Sequence, residues 1–253
     1  MSYFEFEGKK IFYSENGSGR PLLLLHGNTA SSKMFEHIVG EYTDDFKVIT
    51  LDFAGHGKSD RLDEFPADLW FYEAQQVIAF LHEKNYTGVD IIGCSGGAIV
   101  AINVALEAPD IIGRVIADSF AGESASEAFT ALLLADREKA KADPSARGFY
   151  EYMHGFDWEQ IVDNDTSAIT RHQKEIGSFF HKPLNTLNAE ILLTGSQKDR
   201  FMYSISDNYY EKAYGEMLEG IPDGRMHLFE NGDHPAMLSN FGEFLQLSKE
   251  FLL

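Results

Sequence analysis

What is scarce in this sequence already excludes several classes of protein. Of the 253 residues only Cys94 is a cysteine, so no internal disulfide can form. A chain of this kind fits a reducing compartment, and we expect a cytoplasmic location. Residues 1–7 carry no basic segment followed by an apolar stretch, so no secretory signal is expected. The longest run of Leu, Ile and Val, residues 22–25, is far shorter than the roughly 20 residues that span a bilayer.

Basic residues are also scarce. The chain has 21 Lys and Arg against 40 Asp and Glu, which gives a formal net charge of −19. Such a charge repels phosphate backbones and anionic lipid headgroups. We therefore expect neither nucleic acid nor a membrane as a partner, and the sequence leaves the oligomeric state open.

The hydrophobic pattern changes repeatedly between strand-like and helix-like segments. A hairpin over residues 4–13 opens the chain, and short apolar runs typical of buried strands follow at residues 22–25, 48–51, 89–92, 115–117, 191–193 and, more weakly, 226–229. Helical spacing of apolar residues occurs at residues 69–83, 98–107, 204–218 and 241–253. Alternation of this kind predicts an α/β fold with a mostly parallel central sheet flanked by helices.

One long stretch interrupts the alternation. Residues 121–183 have helical patterning, no convincing strand and many aromatic side chains. We interpret this stretch as a helical cap insertion over a site, with residues 1–120 and 184–253 forming the core. Ordinary packing helices are the alternative interpretation.

The run Gly93-Cys94-Ser95-Gly96-Gly97 fits the G-x-S-x-G pattern of a nucleophile elbow. The apolar strand at residues 89–92 precedes it and a helix of small residues follows it, as the pattern requires. The elbow holds its serine in a strained backbone conformation, and glycines on either side leave space where a Cβ would collide. We predict that Ser95 is a catalytic nucleophile.

A serine nucleophile needs a base, and the base needs an acid to fix its tautomer. Residues 191–193 run into a polar loop that contains Asp199, and residues 226–229 lead into a loop that contains His234. Active sites of open α/β sheets lie beyond the carboxyl ends of the strands. The sequence therefore predicts the catalytic set Ser95, Asp199 and His234.

Two N–H donors are expected to stabilise the charge of a tetrahedral intermediate. The backbone N–H of Gly96 directly follows the nucleophile at a helix N-terminus, where the helix dipole also favours an anion. The backbone N–H of Asn28, on the loop after residues 22–25, is the second predicted donor. His26 is expected to shape that loop.

These features together resemble the α/β-hydrolase superfamily over nearly the whole chain, in particular its small cap-bearing, esterase-like members. Four landmarks carry the resemblance in order: His26-Gly27, the run from Asp52 to Asp60, the elbow at Ser95, and the loops of Asp199 and His234. The spacing from Gly195 to Asp199 is one residue longer than is usual in that family. Asp118, after the strand at residues 115–117, therefore stays open as the alternative acid, because some members place their acid there.

The resemblance implies a hydrolase of a small carboxylic ester or lactone that forms an acyl-enzyme. A C–C bond hydrolase with the same residues is the alternative, and a weakly catalytic ligand receptor on this fold is the hypothesis from another class. We expect a small-molecule substrate, no cofactor and no metal, since no metal-ligand spacing occurs. Cys94 is interpreted as a small buried filler and His56 as a structural residue.

Overall fold

The computed structural model describes residues 2–253, and its strands form one eight-stranded sheet. The strands are β1 (Ser2–Phe6), β2 (Lys9–Asn16), β3 (Arg20–Leu25), β4 (Phe46–Leu51), β5 (Val89–Cys94), β6 (Ile112–Asp118), β7 (Glu190–Ser196) and β8 (Gly224–Phe229). The helices are α1 (Val39–Tyr42), α2 (Leu69–Lys84), α3 (Gly96–Glu107), α4 (Glu127–Ala142), α5 (Pro144–His154), α6 (Trp158–Glu175), α7 (Arg200–Tyr203), α8 (Tyr209–Gly220), α9 (Ala236–Ser239) and α10 (Phe241–Leu252).

The sheet has the strand order β1-β2-β4-β3-β5-β6-β7-β8. The pairs β1–β2 and β2–β4 are antiparallel, and every later pair is parallel. The predicted α/β fold with a mostly parallel sheet is confirmed. Because the parallel strands all end at one edge, the loops that follow β3, β5, β6, β7 and β8 meet there.

The sheet separates two hydrophobic layers, which explains the continuous apolar runs of the central strands. In β3, Leu23 and Leu25 point into the larger cluster with residues of α2 and α3. Leu22 and Leu24 point into the opposite cluster, which includes residues of α10. All four leucines are fully buried, and such burial contributes roughly 1.5–3 kcal/mol for each side chain.

Two predicted elements differ from the structure. The helix predicted at residues 204–218 begins later, as α8 at Tyr209, because Asn208 adopts a left-handed conformation with φ of 55° directly before the first helical turn. The run at residues 226–229 lies on the edge strand β8, which is exposed over most of its length. An edge strand has no neighbour on one side, so its apolar residues are not enclosed as those of β5 are.

The stretch between β6 and β7 contains α4, α5 and α6, which we call the inserted helices. Ser126 caps α4 by accepting a hydrogen bond from Phe129 N at 3.1 Å, and Asp143 caps α5 by accepting from Ser145 N at 2.9 Å. Leu133 and Ile169 join the larger core cluster, so these helices pack on the sheet domain. Whether they form a separate cap stays a prediction. None of the helices within residues 2–253 has the length and hydrophobicity to cross a bilayer.

Candidate active site

The elbow predicted at Ser95 lies between β5 and α3. Ser95 has φ of 54° and ψ of −122°, a backbone conformation that non-glycine residues rarely adopt. A Cβ at Gly93 would lie 2.1 Å from the Gly97 carbonyl oxygen, and a Cβ at Gly97 would lie 2.3 Å from the Leu25 carbonyl oxygen. The two flanking glycines are therefore required by close backbone approach, as the sequence pattern predicts.

Ser95, His234 and Asp199 lie together at the carboxyl edge of the sheet. His234 Nε2 is 3.0 Å from Ser95 Oγ, and His234 Nδ1 is 2.9 Å from Asp199 Oδ2. The turn from Ser196 to Asp199, closed by a 3.1 Å hydrogen bond from Asp199 N to the Ser196 carbonyl, brings the carboxylate to the histidine despite the longer spacing from Gly195. The carboxylate can accept only, so Nδ1 carries the proton and Nε2 is free to accept from the serine hydroxyl.

The Asp199 carboxylate is fully buried and is surrounded by donors. Oδ2 accepts from His234 and from the Tyr210 hydroxyl at 2.7 Å, while Oδ1 accepts from Phe201 N at 3.1 Å and Met202 N at 3.0 Å. Burial alone would raise the pKa of Asp199, but the hydrogen bonds and the His234 charge outweigh it and hold the pKa below its usual value. Tyr210 was missed in the sequence because nothing local marks a tyrosine on α8 as a partner of Asp199.

The same interactions act on His234. Burial would lower the pKa of its imidazole, but the hydrogen bond and the charge of Asp199 raise it above the ordinary value, with smaller contributions from Asp118 and Asp233. The imidazolium is thus stabilised where it would form. This is the electrostatic arrangement that a general base beside a serine nucleophile needs.

Asp118, the alternative acid, has a different set of partners. Its Oδ1 accepts from Thr194 Oγ1 at 2.7 Å and its Oδ2 accepts from Met237 N at 3.0 Å. The next residue, Ser119, accepts at its hydroxyl from Ala236 N at 2.8 Å. Burial raises the pKa of Asp118 to about 6. Asp118 and Ser119 therefore fix the backbone that follows His234, and the imidazole's hydrogen bond goes to Asp199.

The two predicted oxyanion donors lie beside Ser95. Asn28 and Gly96 both line the cavity that contains Ser95. Neither backbone N–H donates a hydrogen bond within residues 2–253. A Cβ at Gly96 would lie 2.0 Å from Asn28 Oδ1, and a Cβ at Gly27 would lie 3.0 Å from Ser95 Cβ, so the two loops are in direct contact. Gly96 also begins α3, where the helix dipole favours negative charge.

The cavity above Ser95 has a volume of about 390 Å³. Most of its lining is apolar, and the aromatic members are Trp70, Phe120, Phe129, Phe149, Phe179 and Phe201. Asp136 and Arg137 of α4 bring charge to the lining. Both the sheet domain and the inserted helices contribute to this cavity, so an occupant would contact both.

Three further residues, His26, His56 and Cys94, are buried and make contacts of a structural kind. His26 accepts from Phe53 N at its Nε2, 3.2 Å away, and so joins its loop to the next one. His56 is packed between the rings of His26 and Phe65, at centroid distances of 5.2 and 4.9 Å. Cys94 packs its sulfur 3.9 Å from Met34 Sδ, and burial raises the pKa of its thiol. The expected roles of these residues agree with their surroundings.

Within the described part of the chain, residues 2–253, no group of three or more His, Cys, Asp or Glu side chains is arranged to hold a metal ion. The expectation that the reaction needs no metal or cofactor stays a prediction.

Comparisons with known proteins agree with this architecture. A model of the alpha/beta hydrolase family matches residues 22–247, and the chain belongs to that family. The chain is 25% identical to 2-hydroxy-6-oxo-6-phenylhexa-2,4-dienoate hydrolase of Comamonas testosteroni, over 96% of this chain and 91% of that protein.

Two solved structures share the fold. An esterase from Exiguobacterium antarcticum, EaEST, has a TM-score of 0.74 at 21% identity and covers 97% of this chain and 96% of its own. A meta-cleavage product hydrolase from Pseudomonas fluorescens IP01, CumD, has a TM-score of 0.77 at 19% identity, covering 99% and 97%. The family and these names support the coarse prediction that the protein is a hydrolase. The named proteins include an esterase and hydrolases of other substrates, so they do not fix which bond is cleaved.

Proposed function

We propose that this protein hydrolyses a small carboxylic ester or lactone through an acyl-enzyme on Ser95. The observation that carries the proposal is the continuous hydrogen-bond path from Ser95 Oγ to His234 Nε2, 3.0 Å, and from His234 Nδ1 to Asp199 Oδ2, 2.9 Å. That path lies at the wall of a largely apolar cavity. A nucleophile, a base and an acid in this order are the parts that acyl transfer requires.

Ser95 attacks, and His234 moves the protons in both halves of the reaction. His234 takes the proton of Ser95 as Oγ attacks the carbonyl carbon, and the new oxyanion accepts hydrogen bonds from the backbone N–H groups of Asn28 and Gly96. His234 then gives its proton to the leaving alkoxide, which leaves the acyl-enzyme. Water enters, His234 takes a proton from it, and collapse of the second tetrahedral intermediate releases the acid and returns the proton to Ser95.

The lining favours a small substrate with an apolar part. A volume of about 390 Å³ suits a small molecule, and the aromatic walls bury apolar groups better than polar ones. In this proposal the inserted helices serve as a cap, because their side chains Phe129, Phe149 and Ile169 line the same cavity as Ser95.

A C–C bond hydrolase is the second candidate. It is favoured by the 25% identical relative, whose name is that of a dienoate hydrolase. The same serine, histidine and aspartate would act, so the residues do not separate the two reactions. A panel of p-nitrophenyl esters, lactones and vinylogous diketones does, because only the cleaved class gives steady turnover.

The nucleophile assignment is tested by Ser95→Ala, with Cys94→Ala as the matched control. Ser95→Ala is expected to abolish both ester turnover and labelling by a fluorophosphonate, since the attacking oxygen is removed from an otherwise unchanged elbow. Cys94→Ala is expected to keep both, because the thiol is buried beside Met34. Turnover at the wild-type rate in folded Ser95→Ala would refute the mechanism. A labelling burst with no steady turnover of any panel member would favour the ligand receptor.

A further inference from the structure

All three inserted helices contact the loop of residues 27–31, which carries the predicted oxyanion donor. Asp165 of α6 accepts a hydrogen bond from Asn28 Nδ2 at 2.6 Å. Arg137 of α4 donates to the Thr29 hydroxyl, and His154 of α5 lies with Nε2 3.0 Å from the Thr29 carbonyl. In addition, the Ser31 hydroxyl donates to the Met153 carbonyl at 3.2 Å.

The side chain of Asn28 is held from both ends. Its Oδ1 accepts from Trp70 Nε1 of α2 at 3.2 Å, while its Nδ2 donates to Asp165. The reverse amide orientation would place an NH₂ group against the indole N–H and an oxygen against the carboxylate. The amide therefore has one satisfied orientation, with the core helix on one side and an inserted helix on the other.

The backbone beside Asn28 needs external support. Thr29 has φ of 55°, and a β-branched residue in that left-handed region is strained. The contacts from Arg137 and His154 fall on this same residue. The pKa of His154 is lowered by burial to about 4, and its Nδ1 accepts from Gly57 N at 3.1 Å, so the neutral ring carries its proton on Nε2 and donates it to the Thr29 carbonyl.

Asp165 is fully buried, and its other oxygen lies 3.5 Å from Arg137 Nη2. Replacing a buried ion pair by apolar side chains is often neutral for stability or even stabilising, so stability alone is a weak account of this one. The pair joins α4 to α6 while one carboxylate oxygen stays directed at Asn28. This arrangement suits a role in fixing the loop.

We propose that Asp165 and Trp70 are positioning residues that hold Asn28, and with it the backbone N–H offered to the oxyanion. Packing of the inserted helices on the sheet domain then completes the oxyanion hole. This inference rests on the proposed function. It predicts that a change at Asp165 damages transition-state stabilisation although the side chain does not reach the reacting atoms.

The test compares four variants for melting temperature, kcat, KM and the affinity of a trifluoromethyl ketone, which forms an oxyanion adduct on serine. Asp165→Ala and Trp70→Phe each remove one partner of Asn28. Asp165→Asn keeps an oxygen that can accept from Asn28. Asp157→Asn is the matched control, because it removes the charge from another ion pair of the inserted stretch, the 2.7 Å pair between Arg61 and Asp157 directly before α6, and Asp157 makes no hydrogen bond to residues 27–31.

We expect Asp165→Ala and Trp70→Phe to lower kcat/KM by about 10- to 100-fold, mostly through kcat. The affinity of the trifluoromethyl ketone is expected to fall by a similar factor. Loss of a whole oxyanion donor lowers kcat by about 10²- to 10³-fold, and a misplaced donor lowers kcat by part of that factor. Asp165→Asn is expected to recover most of the loss, and Asp157→Asn to stay near the wild type. The inference is overturned if the first two variants, folded, change only KM or behave like Asp157→Asn. If Asp165→Ala does not fold, Trp70→Phe decides through amide exchange at residues 28–31, because Trp70 also lines the cavity and its substitution changes the pocket directly.

Amide hydrogen exchange separates this inference from the proposed function. Wild-type protein that neither hydrolyses esters nor reacts with a fluorophosphonate would refute the proposed function. Even then, the rate of amide exchange at residues 28–31 would measure how firmly the loop is held. Faster exchange there in Asp165→Ala than in Asp157→Asn supports the holding role, and equal exchange overturns it.

Discussion

Asp199→Asn is expected to lower kcat/KM for ester hydrolysis by up to about 10⁴-fold, and the reason lies in the four donors around the carboxylate. An asparagine has one acceptor oxygen and one NH₂ group. If the oxygen faces His234, the NH₂ group faces the backbone N–H groups of Phe201 and Met202, which cannot rearrange. If the NH₂ group faces His234, the Tyr210 hydroxyl can turn to accept, but the imidazole must move its proton to Nε2 and can no longer accept from Ser95.

The size of the effect follows from those two orientations. Leaving these two N–H groups unsatisfied against a buried side chain costs about 1–3 kcal/mol each, so the productive orientation is disfavoured by about 2–6 kcal/mol. At 1.36 kcal/mol for each factor of ten, this corresponds to a loss between about 30-fold and 10⁴-fold. The same exchange in a chymotrypsin-type triad costs about 10⁴-fold for the same reason, the wrong tautomer.

Asp118→Asn is the matched comparison. Its partners are Met237 N, which an amide oxygen can satisfy, and the Thr194 hydroxyl, which can accept from an NH₂ group as readily as it donates. We therefore expect a loss of no more than about tenfold. Steady-state hydrolysis of p-nitrophenyl butyrate, with circular dichroism to confirm folding, measures both. A folded Asp118→Asn that loses more activity than Asp199→Asn would refute the reasoning and assign the role of the acid to Asp118 on β6.

Two further predictions follow from pKa and packing. Activity needs neutral His234, and the pKa of His234 is raised, so kcat/KM should fall as the pH drops through a midpoint above about 6.5. In Asp199→Asn that midpoint should move to a lower pH, because the carboxylate that raises the pKa is lost. A pH profile of kcat/KM that is flat from about pH 5 to 8 would contradict histidine as the base. Gly93→Ala should lower the free energy of unfolding by at least about 2 kcal/mol, because its Cβ would lie 2.1 Å from a backbone oxygen. Gly148→Ala, with open space around it in α5, should instead raise it by about 0.5–1 kcal/mol, and urea unfolding that ranks the two otherwise would refute the packing argument.

The elbow and the buried strands were accessible from sequence because their causes are local. Buried parallel strands appear as apolar runs, and the close backbone approach at Gly93 and Gly97 demands glycine at fixed distances from Ser95. His234 and Asp199 were also accessible, since each follows an apolar strand and the ends of parallel strands meet. These signals each need only a few neighbouring residues.

The support of Asn28 was not accessible in the same way. Asp165 is 137 positions away from it in the chain, and no local pattern pairs the two. One signal was present: Asp165 lies between Ile161 and Ile169 on the buried face of α6, where a carboxylate needs a partner. The start of α8 was misplaced because it depends on a left-handed conformation at Asn208, which propensity allows but does not require.

The contacts on Thr29 and Asn28 have a consequence for building chimaeras. Arg137, His154 and Asp165 all lie between β6 and β7, and exchanging residues 121–183 for the equivalent stretch of a relative would remove all three together. Such a graft would change the pocket walls and the support of the loop that carries the proposed oxyanion donor at once. Substrate selectivity and reaction rate would then change together. They would change separately only if the new segment also carried a donor facing Thr29 and a carboxylate facing Asn28.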